Sequence, residues 1–553
     1  MFGPQTNPSP NLLTLLIGRS EGNPFYLEEL LNFLKAQGVS PEDPRAAGAL
    51  ELPNSLHSLI LSRIDQLTES QKTSLKMASV VGRVFSLHTL LNVNRALEEP
   101  RLTSDLEQLD KLELTPLENL EPDPTYVFKH GVTQEVAYES LPFETRAKLH
   151  RDIGNHLEAT EVETNNEQLD LLAYHFDRSD DLRKKRDYLL KAGQSAQARY
   201  ANASAIDYYR KVLPLLSPDQ QIPVLIQLGQ VLELVGKWPE AGESYQSALQ
   251  LALDSKDLLM EARCRSASGE LFRKEGKYVE ALQRLEEAQR LFEQAGDEAG
   301  QAEVLHLSGT VNAQRGEFER ATTLYNQSMA IRERRDDKCK IASLLSNLGI
   351  IAWFRDDLVR ARELYESSLS IRRSLGDRWS IANSLNNLAL LLGDLCEFAA
   401  ARNLLEECLA INRELGDRWS ISNALSSLAD VALDQGDCTT ARNLLIEGAS
   451  ISRELGDRVA ISFILEQFAQ LAAGEQKARF AFTLAGAAAH LRESIGTAGP
   501  PNQQARLKKW LDKVSQLLPE ADRDAAQKQG RALSPDSALD EALAESPLTE
   551  STQ

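Results

Sequence analysis

Cysteine is scarce in this chain: five in 553 residues, at positions 264, 339, 396, 408 and 438. None belongs to a Cys-x-x-Cys pair, which excludes a disulfide framework and points to the reduced thiols of a cytoplasmic protein. Long apolar runs are missing as well. No stretch approaches the roughly 18 residues that span a bilayer, and Asn11 to Ile17 is short even for a signal-peptide core, so no membrane association is expected. Positive charge is in deficit, with 61 Lys and Arg against 81 Asp and Glu and a formal charge of −20. General nucleic-acid binding is not expected, because phosphate contacts need clustered cations. Catalytic signatures are lacking too. There is no Gly-x-x-x-x-Gly-Lys-Ser/Thr loop, no His-Glu-x-x-His, no nucleophile elbow and no dinucleotide glycine fingerprint. His130, His150 and His175 have no nearby cysteine ligands, and the thiols of Cys396 and Cys438 alone make no zinc site. The expectation is no catalytic residue, no metal and no cofactor within this chain.

What the chain has is a forty-residue echo. Asp257, Asp297, Asp337, Asp377, Asp417 and Asp457 fall one period apart, as do Ala241, Ala281, Ala321, Ala361, Ala401 and Ala441. The run from Leu375 to Ile381 returns almost letter for letter at Leu415 to Ile421. Such a period marks stacked units whose apolar faces are completed only by their neighbours. Each unit reads as two helices. In one, Ile341, Leu344, Leu345 and Leu348 recur at helical spacing up to Gly349. A polar turn follows at 355–357, and Ala361, Leu364, Tyr365 and Leu369 form the second face. Small residues at Gly349, Ala389 and Ala429 let paired helices approach closely. Gly236, Gly276, Gly316 and Gly436 suit a turn with positive φ. The periodic Asp lies between units, where its carboxylate can accept N–H bonds at the next helix start.

Arg378-Trp379 and Arg418-Trp419 occupy equivalent positions in successive units. Two readings stand: packing and capping between repeats, or an aromatic ladder facing a partner, since Trp and Arg are enriched at binding hot spots. Arg332, Arg372, Arg373 and Arg413 read either as partner contacts or as the solvated side of the second helices.

This pattern resembles the tetratricopeptide repeat in a form of period near forty, over about 218–495 or seven hairpins, with a less regular eighth at 182–216 carrying Ala205, Tyr208 and Tyr209. The resemblance implies a right-handed α-solenoid whose concave surface binds a peptide, a partner domain or another part of its own chain.

The first 216 residues do not follow the period. Helices are expected over 21–34, opening at Pro24, over 56–67, over 69–80 with Thr68 as cap, and near 87–91 and 102–112. One strand is expected at 124–129, with Tyr126 and Phe128 on one face. The run Glu21-Gly22-Asn23-Pro24-Phe25-Tyr26-Leu27-Glu28-Glu29-Leu30 resembles the closing motif of STAND-class signal-transduction NTPases. The segments 52–67 and 78–85 resemble the winged-helix region that follows the nucleotide domain in that class, and 126–150 its next signature. At the far end, Leu484-Ala485-Gly486-Ala487-Ala488 through Pro501, then Gln529 to Ser534, resembles the tail of the same proteins, which include LuxR-like transcriptional activators and large fused cyclases or kinases. The resemblance implies that Pro24 touches adenine only alongside an upstream nucleotide domain, so ATP and magnesium belong to a longer parent. This chain then reads as a carboxy-terminal piece of such a switch protein or as a derivative without the motor. Residues 51–150 carry 10 Lys or Arg against 15 Asp or Glu, which favours relay over DNA binding for the winged-helix-like part.

The expected fold is therefore mainly α: a winged-helix-like region followed by a right-handed tetratricopeptide α-solenoid. Its divisions are 1–37 as the lid remnant, 38–50 as a linker, 51–160 as winged-helix-like, 165–217 as a helical adaptor, 218–496 as solenoid and 497–553 as a helical tail that frays beyond 543. The expected function is a non-catalytic sensor that binds a protein, peptide or effector, or its own upstream domain, and relays to an NTPase or output domain. The alternatives are the carboxy-terminal part of an ATP-dependent signalling enzyme or regulator and a stand-alone assembly scaffold.

Overall fold

The computed structural model describes residues 10–20, 22–36, 55–93, 98–121, 123–160, 165–495 and 501–544. The expected linker at 38–50 lies outside these residues, as does the frayed end beyond 544. The chain divides into two compact units, Met1–Ala267 and Ser268–Gln553.

The first unit begins with helices Pro10–Ser20 and Pro24–Ala36. Pro24 sits in the first turn as expected, and the Asn23 side chain accepts the N–H groups of Phe25 and Tyr26. Leu16, Leu30, Leu34 and Leu59 form a small core that ties this pair to helix Leu56–Asp65. Glu29, only 3% exposed, pairs with Arg63 at 2.6 Å, and Arg63 also donates to the Leu112 carbonyl, which satisfies a charge pair withdrawn from water. Thr68 caps helix Glu69–Val81 through a reciprocal box with Gln71. After it come strand β1 (Val84–Ser86), helices Leu87–Val93 and Glu99–Lys111, then β2 (Leu117–Asn119) and β3 (Thr125–Val127). The strands form an antiparallel sheet in the order β1–β3–β2, with Phe85 opposite Tyr126. This helix–strand–helix–helix–strand–strand order is winged-helix-like. Only β3 is legible in the sequence, because the alternation of Tyr126 and Phe128 runs beyond its three residues, and neither β1 nor β2 carries such a pair. Phe85, Tyr126 and Phe128 bury together against Leu75, Leu102 and Leu106.

Helices then follow in succession through Leu182–Ala198 and Asn202–Val212 to the first regular hairpin, Pro218–Leu234 with Trp238–Ser255. At Gly193 and Gly229 an added β-carbon would run into the rings of Tyr209 and Tyr245.

The second unit consists of hairpins at forty-residue spacing. Lys338–Phe354 pairs with Leu358–Leu375, Arg378–Asp394 with Phe398–Leu415, Arg418–Asp434 with Cys438–Leu455, and Arg458–Gly474 with Ala478–Ile495. The periodic aspartates do what the sequence suggested: Asp337, Asp377, Asp417 and Asp457 each accept a backbone N–H in the first turn of the following helix. The turn between paired helices takes positive φ at Gly316 and Gly436, and also at Asp356, Cys396 and Gln476.

The end of the stack is closed by three further helices. Pro501–Val514 packs through Leu507 and Trp510, and Pro535–Ala544 inserts Ala538, Leu539 and Ala542 against Leu465 and Leu491. Glu520–Arg531 crosses Ala478–Ile495 backbone to backbone. A β-carbon at Gly530 would overlap the Thr483 carbonyl, and one at Gly486 the Gln527 carbonyl. No described helix is long and apolar enough to cross a membrane.

Candidate functional site

The first helices of three successive hairpins in the second unit each bury one apolar stripe and carry a second, mostly polar one, half-buried in the first two helices and, apart from Phe463, buried in the third. In Arg378–Asp394 the buried stripe is Leu385, Leu388 and Leu392. The opposite stripe, at helical spacing, is Asn383, Asn386, Asn387 and Leu390. Forty residues on it reads Asn423, Ser426, Ser427 and Asp430, then Phe463, Glu466, Gln467 and Gln470. These stripes, with Gln503 and Arg506 from helix Pro501–Val514, line a groove of about 380 Å³.

Hydrogen bonds between repeats hold its floor. Ser427 donates to Asn386 at 3.1 Å, Ser426 donates to the Gln467 side-chain oxygen at 2.7 Å, and the Gln467 amide donates to the Ser426 carbonyl at 2.9 Å. Partners at this spacing bring residues of successive repeats side by side, so amides of the outer two repeats are joined through Ser426 and Ser427 of the middle one. A side-chain amide offers both a donor and an acceptor, the complement of a peptide group.

One end of the groove is acidic. Burial pushes the carboxyls of Asp430 and Asp434 up, and Arg506 pulls both back. Arg506 lies 3.3 Å from Asp430 and 3.0 Å from Asp434, and donates to the Asp430 carbonyl and to Gln470. Burial likewise raises Glu466, which its ion pair with Arg492 opposes.

The residues singled out from sequence separate into groups. Trp419 lines the groove; its indole N–H donates to Asp457 at 2.9 Å, and Trp379 donates to Asp417 at 3.2 Å. Each indole thus holds the carboxylate that caps the next repeat's first helix, while about half of its surface stays exposed. Arg378 pairs with Glu414, Arg418 with Glu454 at 2.6 Å and Arg413 with Glu447 at 2.5 Å, all on exposed faces. Arg332 is neither solvated nor presented to a partner. It is 3% exposed and pairs with Glu303 and Asp337. Arg372, at the same repeat position, donates to the Ser380 carbonyl and the Ser384 hydroxyl. Arg413 belongs to the next position, in register with Arg373, which pairs with Glu407. Pro24 is exposed in the first unit, beside Phe25, whose ring lies on His130.

Sequence reasoning missed the amide row because it looked for residues that recur, and these change from repeat to repeat. The available signal was Asn386-Asn387 in mid-helix, where asparagine is a poor helix former.

In the first unit, His150 and His175 are buried with their Nδ1 atoms 3.0 Å apart, and His150 Nε2 lies 3.0 Å from the Tyr138 hydroxyl. Burial first, then nearby positive charge, pushes His150 down to about 3 and His175 to about 4. Both imidazoles are neutral, one Nδ1 donating to the other. Among the described residues no group of three or more His, Cys, Asp or Glu is arranged to hold a metal ion.

The tetratricopeptide repeat profile matches residues 220–294, 267–334 and 340–414. No curated protein matches the chain. Among solved structures, it is similar to a Signal Transduction ATPase with Numerous Domains protein with a tetratricopeptide repeat sensor from Pyrococcus horikoshii. That match is 13% identical, covers 94% of this chain and 72% of that one, and has a TM-score of 0.48. It is similar also to a Rap protein complexed with Competence and Sporulation Factor, at 16% identity over 57% of this chain and 94% of that one, TM-score 0.40. A third is the Rap conjugation gene regulator of the plasmid pLS20 in complex with the Phr* peptide, at 15% identity over 57% and 91%, TM-score 0.41. The profile and the paired antiparallel helices together make the repeat region a tetratricopeptide-type α-solenoid.

Proposed function

We propose that this protein is a non-catalytic, cytoplasmic binding module that takes an extended peptide segment of a partner, or of its own longer chain, into the groove of its last three repeats. The observation that carries this reading is the row of half-buried amides, Asn383, Asn386, Asn387 and Asn423. Such amides satisfy peptide N–H and C=O groups of any sequence, as a strand edge would. The exposed halves of Trp379 and Trp419, flanked by Arg378 and Arg418, extend the contact surface, with Arg413 at its periphery; Arg332 and Arg372 act by stacking repeats. The motif order ahead of the repeats supports a relay of the binding event to an NTPase or output domain. A division into a lid remnant to 37, a winged-helix-like part over 51–160, an adaptor over 165–217, the solenoid over 218–496 and a tail beyond suits that use.

The test is selection of random heptapeptides on the immobilised full chain, followed by affinity measurement with Asn387→Leu and Asn423→Leu. Loss of about tenfold or more per substitution is expected when a buried amide contact is removed. Peptides that bind both variants as they bind the parent would sink the reading.

A further inference from the structure

One repeat position changes character along the stack. Arg332 lays a buried guanidinium between Glu303, Asp337 and the Ser328 hydroxyl. Forty residues on, Arg372 reaches the Ser380 carbonyl at 3.0 Å and the Ser384 hydroxyl at 2.6 Å. Forty further, the residue is Asn412, whose side chain is shorter and lines the groove. Its amide nitrogen meets the Ser420 carbonyl, the counterpart of Ser380, only at 3.4 Å, and its other bond is a 3.4 Å contact to the Cys408 sulfur. The contact to oxygen is long for a hydrogen bond, whereas the one to the larger sulfur atom is of ordinary length.

The Asn412 side-chain oxygen has no donor, although the residue is only 2% exposed. Turning the amide over would face that oxygen to the Ser420 carbonyl, so the present orientation is the one chemistry allows. Asn412, Ser420 and Asn383 all line the groove. Asn383 stands where Glu303 stands beside Arg332, and Asp417 stands where Asp337 does. The groove therefore opens onto a place that the chain fills with its own guanidinium twice and leaves short of a donor the third time.

We infer that this slot receives the guanidinium of an arginine in the bound peptide, with the Asn412 side-chain oxygen and the Ser420 carbonyl as acceptors and the Asp417 carboxylate, which already holds Ser420 and Trp379, as the negative charge nearby. The inference rests on the peptide-binding reading above. Arginine rather than lysine fits because a planar fork addresses several separate acceptors at once, as Arg332 and Arg372 do within the chain.

The heptapeptides selected on the full chain supply the probe. Arginine is expected to be enriched among them, and replacing it with citrulline, which keeps the shape but not the charge, is expected to weaken binding by about tenfold or more. Asn412→Arg fills the slot from within and should weaken the arginine peptides to a similar extent while raising the melting temperature. Asn412→Leu removes the acceptor at similar volume and should weaken them without that rise. Binders without arginine preference, still lost in Asn387→Leu, would overturn the slot and leave the groove standing. Arginine peptides that bind Asn412→Arg as they bind the parent would also overturn it, and no selectable binders at all would overturn slot and groove together.

Discussion

The hairpins 338–375 and 378–415 cross at the same point with different residues. In the first, Gly349 lies under the ring of Tyr365, and a β-carbon there would come within 2.8 Å of it. In the second, Ala389 and Leu405 hold the same two positions, both fully buried. Gly309 with Tyr325 follows the first solution; Ala429 with Leu445 keeps the second. Volume removed from one helix is thus returned on its partner, and the packing is conserved where the residues are not. The two solutions differ in one respect. A buried tyrosine brings a hydroxyl that needs a partner: Tyr325 finds Thr310 at 3.1 Å, whereas the Tyr365 hydroxyl has none. Leucine carries no such demand.

The terminal cap uses glycine against a harder neighbour, and so offers the largest way to break the pattern. Gly530→Ala sets a methyl against the Thr483 backbone, which cannot rotate away as a ring can. The expected result is release of helix Glu520–Arg531, a loss of about 3 kcal/mol or more, and amide exchange that becomes fast over 520–544 while 338–455 keeps its protection. Unchanged exchange in the cap would show that the crossing is not as close as described. Gly349→Ala should cost about 1–3 kcal/mol by overpacking. Tyr365→Leu in that background should restore most of it by converting one solution into the other. Simple additivity of the two changes in urea unfolding would refute the exchange of volume.

A smaller effect at neutral pH separates the repeats from the helices ahead of them. His150 and His175 are held below the ordinary imidazole value of about 6.5. The unfolded chain therefore binds protons that the folded one refuses, and stability falls as pH drops from about 6.5 towards 4 and 3. Arg146 and Arg178 stand beside the pair and oppose its protonation. His175→Asn should flatten the pH dependence of the urea midpoint in that interval, and an unaltered slope would show that other groups govern it.

The repeats were legible because a solenoid writes one geometric demand many times, so Asp417 and Ala401 announce themselves by recurrence. The amide groove was not legible for the same reason. Its residues do not recur: the same position reads Asn387, Ser427 and Gln467 along the stack. Strands β1 and β2 escaped because neither has the pair of alternating aromatics, Tyr126 and Phe128, that makes β3 visible. The arginine series divides by register: Arg332 and Arg372 share one position and Arg413 sits in the next, and a shift of one position turns a helical side chain by about a quarter of a circle, which here separates the buried Arg332 and half-buried Arg372 from the exposed Arg413.

The carboxylate of Asp457 serves two masters, accepting the Ala460 N–H of its own helix and the Trp419 indole of the repeat before. Asp417 does the same for Ser420 and Trp379. Spacing between repeats and the winding of each first turn are therefore one variable along this edge. Moving one repeat away from the next here costs the indole bond, so each half-exposed tryptophan ties the start of the following helix to the repeat before it.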